Sequence, residues 1–193
     1  MILSNVEIIQ ALEDGSIIID PKPNLPTLSN PKSSYDTTAV DLTLSPNLEI
    51  PRKGLSLNID ISKGNIAKTL ATLCEKANIS EEGYPLKPNE FVLAQTLEKI
   101  KLPIREKPPV YAARVEGKSS RARCGILVHF TAPTVHAGFS GPLTLEMINL
   151  GKYDFVLKTG MTICQLIFEE VKGIPTHNPS QFQDQFSPSG IKV

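Results

Sequence analysis

VEGKSSRARCGILVHFTAPTVHAGFSGPLTLEMINL, residues 115–150, is the stretch whose reading decides the fold. It begins with a polar turn, Gly117-Lys118-Ser119-Ser120-Arg121-Ala122-Arg123, rich in cations and hydroxyls. Ile126, Val128 and Phe130 then alternate with Leu127, His129 and Thr131, a period of two that predicts a strand. A glycine turn follows, and after it a second, mostly apolar strand, Leu143-Thr144-Leu145-Glu146-Met147-Ile148. The polar turn therefore joins two strands. A Walker loop would need a second glycine and a following helix. Main-chain N–H groups and hydroxyls at such a turn can cradle an anion, and Lys118 and Arg123 would add charge-assisted hydrogen bonds. A solvated basic turn has the same composition, and both readings stand at this level. Glu146 is the only charge between Gly141 and Lys152. It either points to water or occupies a partly dry site, where desolvation raises its pKa and suits it to general-base work.

The rest of the chain frames this unit. At 193 residues it is long enough for one domain with a sizeable core. We assign residues 1–172 to that domain and 173–193 to a tail rich in Pro, Ser, Gln and Asn. Twenty basic residues balance 20 acidic ones, so no overall basic field argues for nucleic acid. Cys74, Cys124 and Cys164 are odd in number and widely spaced; they read as buried thiols in a reducing compartment. The N-terminus shows no signal-peptide pattern, and no apolar run is long enough to span a membrane. A cytoplasmic protein is the expectation.

In chain order, Ser4 and Glu7 make a capping-box spacing before a helix over 4–14, with Gly15 as its C-terminal cap. Ile17–Ile19 predicts a short strand, and the prolines of 21–34 an extended connection. Residues 38–50 predict a strand with Val40, Leu42 and Leu44 on one side and Asp41 and Thr43 on the other. Leu55–Ile61 is a second apolar stretch. Residues 65–77 predict an amphipathic helix capped by Asn65, residues 90–98 a strand, and 100–109 a loop. Phe155–Leu157 and Met161–Phe168 predict a hairpin around Lys158-Thr159-Gly160. Many short strands with Gly- and Pro-rich turns imply a mainly β barrel or jelly roll with a few short helices.

The segments EGKSSRARCG, LVHFTA, VHAGFSG and LTLE, in this order and spacing, resemble the deoxycytidine triphosphate (dCTP) deaminase family, a branch of the trimeric dUTPase superfamily. That family's pattern is E/D-G-R-S-S-L-A-R-L-G, V-H-x-T-A, I-D-P-G-[WF]-x-G and a strand ending L-E. Pro85–Ala94, Asp41 in AVDLTL, and Gly160–Ile163 with Gln165-Leu166 resemble its flanking segments. The resemblance implies a distorted barrel of the dUTPase-like (β-clip) type. It implies hydrolytic deamination of dCTP to dUTP and ammonia, by a homotrimer with sites between subunits. By the same resemblance, Glu146, Ser119 and Arg123 would be catalytic. Glu146 would take the proton from water that Ser119 orients, helped by the main-chain carbonyl near Ala132. Substrate contacts would fall to Lys118, Ser120, Arg121, Ala132, His136, Thr144, Leu145 and Gln185. Mg²⁺ would arrive on the nucleotide phosphates. The tail would fold over the nucleotide, with His177, Phe182 and Gln185 nearest to the family's contact positions.

Zinc deaminases carry an H-x-E…P-C-x-x-C set. This chain has neither part, so no zinc is expected. Two departures from the family pattern matter. Lys118 stands where the family has arginine, and keeps the charge without the bidentate fork. His136 stands where the family has the aspartate of I-D-P-G, which holds the sugar 3′-hydroxyl and serves the diphosphatase branch. Three functions follow: dCTP deaminase, dUTP diphosphatase alone or combined with deamination, and a silent nucleotide-binding homologue.

Overall fold

Ser4 caps α1 (Asn5–Glu13) as its spacing predicts: its hydroxyl accepts from the Glu7 N–H while the Glu7 carboxylate accepts from the Ser4 N–H. The molecule is described here by a computed structural model, covering residues 1–25, 33–54, 57–64, 66–178, 182–185 and 187–190. After α1, Gly15 turns the chain in the left-handed region (φ +74°) into β1 (Ile18–Asp20). The predicted strand over 38–50 is β2 (Val40–Pro51). Downstream come α2 (Ile66–Leu73), β3 (Cys74–Asn78), β4 (Tyr84–Leu86), β5 (Phe91–Lys101) and β6 (Tyr111–Gly117). The polar turn holds α3 (Ser119–Ala122). Then follow β7 (Ile126–Leu127), β8 (Thr134–Val135), β9 (Ser140–Asn149), β10 (Phe155–Leu157) and β11 (Thr162–Glu170).

One large sheet runs β7-β9-β5-β2-β11-β6-β8, with β1 added to β5 and β3 to β2; β4 and β10 form a separate pair. Its strand pairings among the described residues are all antiparallel. The register slips between Leu44 and Leu48 in β2 and between Gln95 and Lys99 in β5. Such bulges bend and twist strands, and the sheet curls into the half-open barrel expected of a dUTPase-like fold. Glu98 secures the slip: its buried carboxylate accepts from the Thr43 N–H at 2.9 Å and the Thr43 hydroxyl at 2.7 Å. Leu42, Leu44, Ile100, Leu145, Met147, Ile163, Leu166 and Phe168 are fully buried and make the centre of the core.

Several local expectations are corrected. The helix predicted over 65–77 stops at Leu73, and Cys74–Asn78 is a strand paired with β2. Cross-strand pairing with Asn47–Pro51 overrides the helical pattern there. The expected cap Asn65 and the start of the Leu55–Ile61 stretch, at Leu55, lie outside the described residues. Phe155–Leu157 and Met161–Phe168 are not a hairpin, since β10 pairs with β4 and β11 with β2 and β6. The alternation at Ile126–Thr131 yields only the two-residue β7, and the polar turn before it is helical. Cys124 is exposed, while Cys74 and Cys164 are buried. No helix among the described residues is long and apolar enough to cross a membrane.

Candidate active site

Strand alternation sets the site. Along β9, Leu143, Leu145 and Met147 enter the core, while Thr144 and Glu146 share the other face. Glu146 faces a cavity of about 900 Å³, whose walls include Thr144, Ala132, His136, Phe91, Leu93 and Gln185. This volume falls in the range of small-molecule sites, roughly 300–1,000 Å³. Burial raises the Glu146 pKa above its ordinary 4.5, against smaller opposing effects of its own backbone, of His129 and of the Phe130 backbone. A half-buried carboxylate so poised can accept a proton from water and return it. His129 stands near enough for its charge to act on Glu146, and its Nδ1 is buried without a partner among the described residues. The Phe130 ring packs against Phe91 at 5.9 Å between centroids.

The glycine turn before β9 is fixed sterically. Gly138 has φ +89°, and a Cβ there would lie 3.2 Å from Ile104 Cδ1 and 3.3 Å from His177 Cδ2. At the other end of β9, Gly125 and Gly151 meet backbone to backbone; a Cβ on Gly125 would sit 2.6 Å from the Gly151 nitrogen. The Leu150 N–H donates to the Gly125 carbonyl at 2.8 Å. The exit of the polar turn is thus tied to the strand that carries Glu146.

The predicted residues separate into two groups. Glu146, Ala132, His136, Thr144 and Gln185 surround one cavity. Leu145 lies in the same strand, but its side chain is fully buried in the core on the opposite face. Lys118, Ser119, Ser120, Arg121 and Arg123 do not line that cavity. Ser119, Ser120 and Arg123 are exposed on and after α3. Arg121 is half-buried, and its Nε has no partner among the described residues.

Lys118 is engaged within the chain. Its ammonium donates to Asp41 at 2.6 Å, Asp36 at 3.1 Å and the Gln165 side-chain oxygen Oε1 at 3.4 Å. Burial alone would lower its pKa, but the two carboxylates outweigh burial and raise it. Gln165 is the cross-strand partner of Asp41 on β2 and of Glu116 on β6. The AVDLTL, EGKSS and Q-L segments, distant in sequence, therefore meet at one lysine.

Part of the tail lies along β9. Gln183 donates to the Gly138 carbonyl at 3.0 Å, the Asp184 N–H to Ser140 at 2.8 Å, and Gln185 to Pro142 at 2.8 Å. Thr144 donates to the Pro188 carbonyl at 3.0 Å. Sequence reasoning missed Glu49, which is 2% exposed. It lies in the cross-strand row Glu49–Leu93–Glu146. Alternation from Val40 turns Glu49 away from core Leu48 and onto the face of Glu146, and Ser189 of the tail packs against it there.

Fold and site together define a mainly β protein of dUTPase-like architecture, with one desolvated carboxylate in a ligand-sized cavity. A family model described as dCTP deaminase-like matches residues 2–171. Full-length similarity extends to a dUMP-forming dCTP deaminase of Dictyoglomus turgidum, 35% identical over all of this chain and 95% of that protein. A dCTP deaminase of Rhodospirillum rubrum is 30% identical over 97% of this chain and 94% of its own length. The crystal structure of the 2′-deoxycytidine 5′-triphosphate deaminase from Agrobacterium tumefaciens shares the fold, with a TM-score of 0.62 at 20% identity. That match covers 86% of this chain and 47% of the Agrobacterium chain. This chain belongs to the dCTP deaminase-like family.

Proposed function

We propose that this protein deaminates dCTP by hydrolysis of the C4–N bond of the cytosine ring, a cyclic amidine. The observation that carries the reading is Glu146, half-buried with a raised pKa on the wall of the cavity, in a chain of this family. In this mechanism Glu146 takes a proton from water, and the hydroxide oxygen bonds to C4. Protons pass to N3 and to the departing amino group, the C4–N bond breaks, and the C4 carbonyl forms. One dCTP and one water give one dUTP and one ammonia. A positioned general base supplies roughly 10²–10⁴-fold of the rate. Orientation of the water supplies much of the rest.

Ser119 orients that water and Arg123 stands beside the base. Both come from a neighbouring subunit of a homotrimer, since neither lines the cavity of its own chain. Ser120 and Arg121 contact phosphates, and the nucleotide enters with Mg²⁺ as part of the substrate. Lys118 holds the turn in place through Asp41 and Asp36 before any phosphate role. His136 offers the sugar one hydrogen-bond partner where the family pattern has an aspartate. Acting on a soluble nucleotide, the enzyme works in the cytoplasm.

A second reading has its own support. Relatives from Dictyoglomus turgidum and Methanobrevibacter smithii, 35% and 32% identical, are dUMP-forming dCTP deaminases. Incubation of the purified protein with dCTP and Mg²⁺, following ammonium and pyrophosphate together, separates the two. Ammonium without pyrophosphate is the expected result. Stoichiometric pyrophosphate would establish the dUMP-forming reaction instead, and neither product, with nucleotide bound, would leave a silent homologue.

A further inference from the structure

We propose that Glu49 is a positioning residue that latches the C-terminal tail across the Glu146 cavity, with Ser189 as its counterpart. The kinetic part of this inference rests on the deaminase reading; the latch itself does not. The tail contacts at Gly138, Ser140, Pro142 and Thr144 advance along β9 toward Glu146. All four donate from, or accept at, the tail backbone or a tail side-chain amide, and every acceptor is a neutral main-chain carbonyl. The last contact is different in kind. The Ser189 hydroxyl leaves β9 and donates to Glu49 Oε1 on β2 at 3.2 Å.

Three observations make this contact more than an incidental one. Glu49 is 2% exposed, Ser189 is 2% exposed, and Glu49 Oε2 has no partner among the described residues. A buried carboxylate short of hydrogen bonds is costly, so the Ser189 hydroxyl matters more than a donor in water would. The cross-strand row Glu49–Leu93–Glu146 places the latch at the level of the reacting carboxylate, about two strand spacings or ~10 Å away. Finally, the tail closes on itself just there. Gly190 has φ +87°, and a Cβ on it would meet the Phe182 ring at 2.4 Å. Phe182, Pro188 and Ser189 all line the Glu146 cavity.

Substrate entry requires the tail to lift. Lifting exposes Glu49 to water and removes Ser189 from it. Docking restores the hydrogen bond and seats the tail at a fixed depth over Glu146. Glu49 therefore sets the closed position without touching the reacting atoms.

The test uses the full chain. Hydrogen exchange of residues 187–190 is compared in the wild type, Ser189→Ala, Glu49→Gln and the double variant, and each is assayed for dCTP turnover. Ser189→Ala is expected to speed exchange at 187–190 by about tenfold or more, as loss of a buried hydrogen bond that leaves its acceptor unsatisfied implies. Its melting temperature should stay that of the wild type, because Ser189 lies outside the β domain. Glu49→Gln should move exchange in the same direction, and the double variant should exceed neither single by more than about twofold. Turnover should fall through a raised KM with kcat nearly kept, a split that mere loss of fold would not give. Unchanged exchange at 187–190 in Ser189→Ala would overturn the latch, as would effects that multiply in the double variant. If dCTP proved not to be a substrate, the exchange results would still decide the matter.

Discussion

Glu146 is protonated more readily than a free glutamate because its cavity is partly dry. Two consequences follow with definite signs. As a base it works ionised, so the acid limb of the kcat/KM profile for dCTP should lie above the ordinary carboxylate value of 4.5. A rate profile that falls only below that value would deny Glu146 the base role. For stability, the folded state holds this proton more tightly than the unfolded chain. Between the unfolded pKa and the raised folded one, stability then decreases as pH rises. Replacing the charge by a neutral isostere should accordingly raise the melting temperature of Glu146→Gln at neutral pH, measured by calorimetry against the wild type. Lys118 is the converse case, a cation whose partners already sit within the chain. Asp41→Asn should cost about 1–3 kcal/mol, read from denaturant midpoints, because it weakens a hydrogen-bonded ion pair that is largely shielded from water.

At the scale of elements, the glycine turn before β9 constrains the site. Gly138→Ala should destabilise the fold by roughly 1–3 kcal/mol, through a strained left-handed backbone and the crowding of Ile104 and His177. Thermal unfolding checks this, and KM for dCTP should rise with it, since Gln183 of the tail binds the Gly138 carbonyl. What the sequence made legible follows from range. The capped helix α1 is readable because Ser4 and Glu7 satisfy each other three residues apart. Strand β9 is readable because alternation alone separates Leu145 from Glu146. The strand at Cys74–Asn78 is not, because only its partner β2 holds Glu75 and Lys76 extended. The hairpin expected around Gly160 fails likewise: β10 finds β4, far away in sequence. Glu49 was hidden because it lies on the non-core face of β2 and meets Ser189, 140 residues away in sequence, a contact that local alternation cannot show.

At the scale of the molecule, one chain gathers Glu146, Thr144, Ala132, His136 and Gln185 but leaves Ser119 and Arg123 outside the cavity. A site completed between subunits predicts complementation. Glu146→Gln and Ser119→Ala should each be inactive alone. After subunit exchange in an equal mixture, about a quarter of the sites should regain both groups. Continued inactivity of the mixture, with mixed oligomers present, would place the whole site within one chain. The division also marks how far the sequence could be read. Motif order pointed to both groups, while their separation depends on the curl of the sheet and on the capture of Lys118 by Asp41 and Asp36. The claim on which everything else rests is that Glu146 moves the proton in dCTP deamination. The most direct measurement is ammonium release from dCTP by the wild type and by Glu146→Gln, with dCTP binding followed by calorimetry. Release by the wild type, a loss of about 10²-fold or more in Glu146→Gln, and nearly unchanged binding are expected. Turnover by Glu146→Gln at the wild-type rate would contradict that claim.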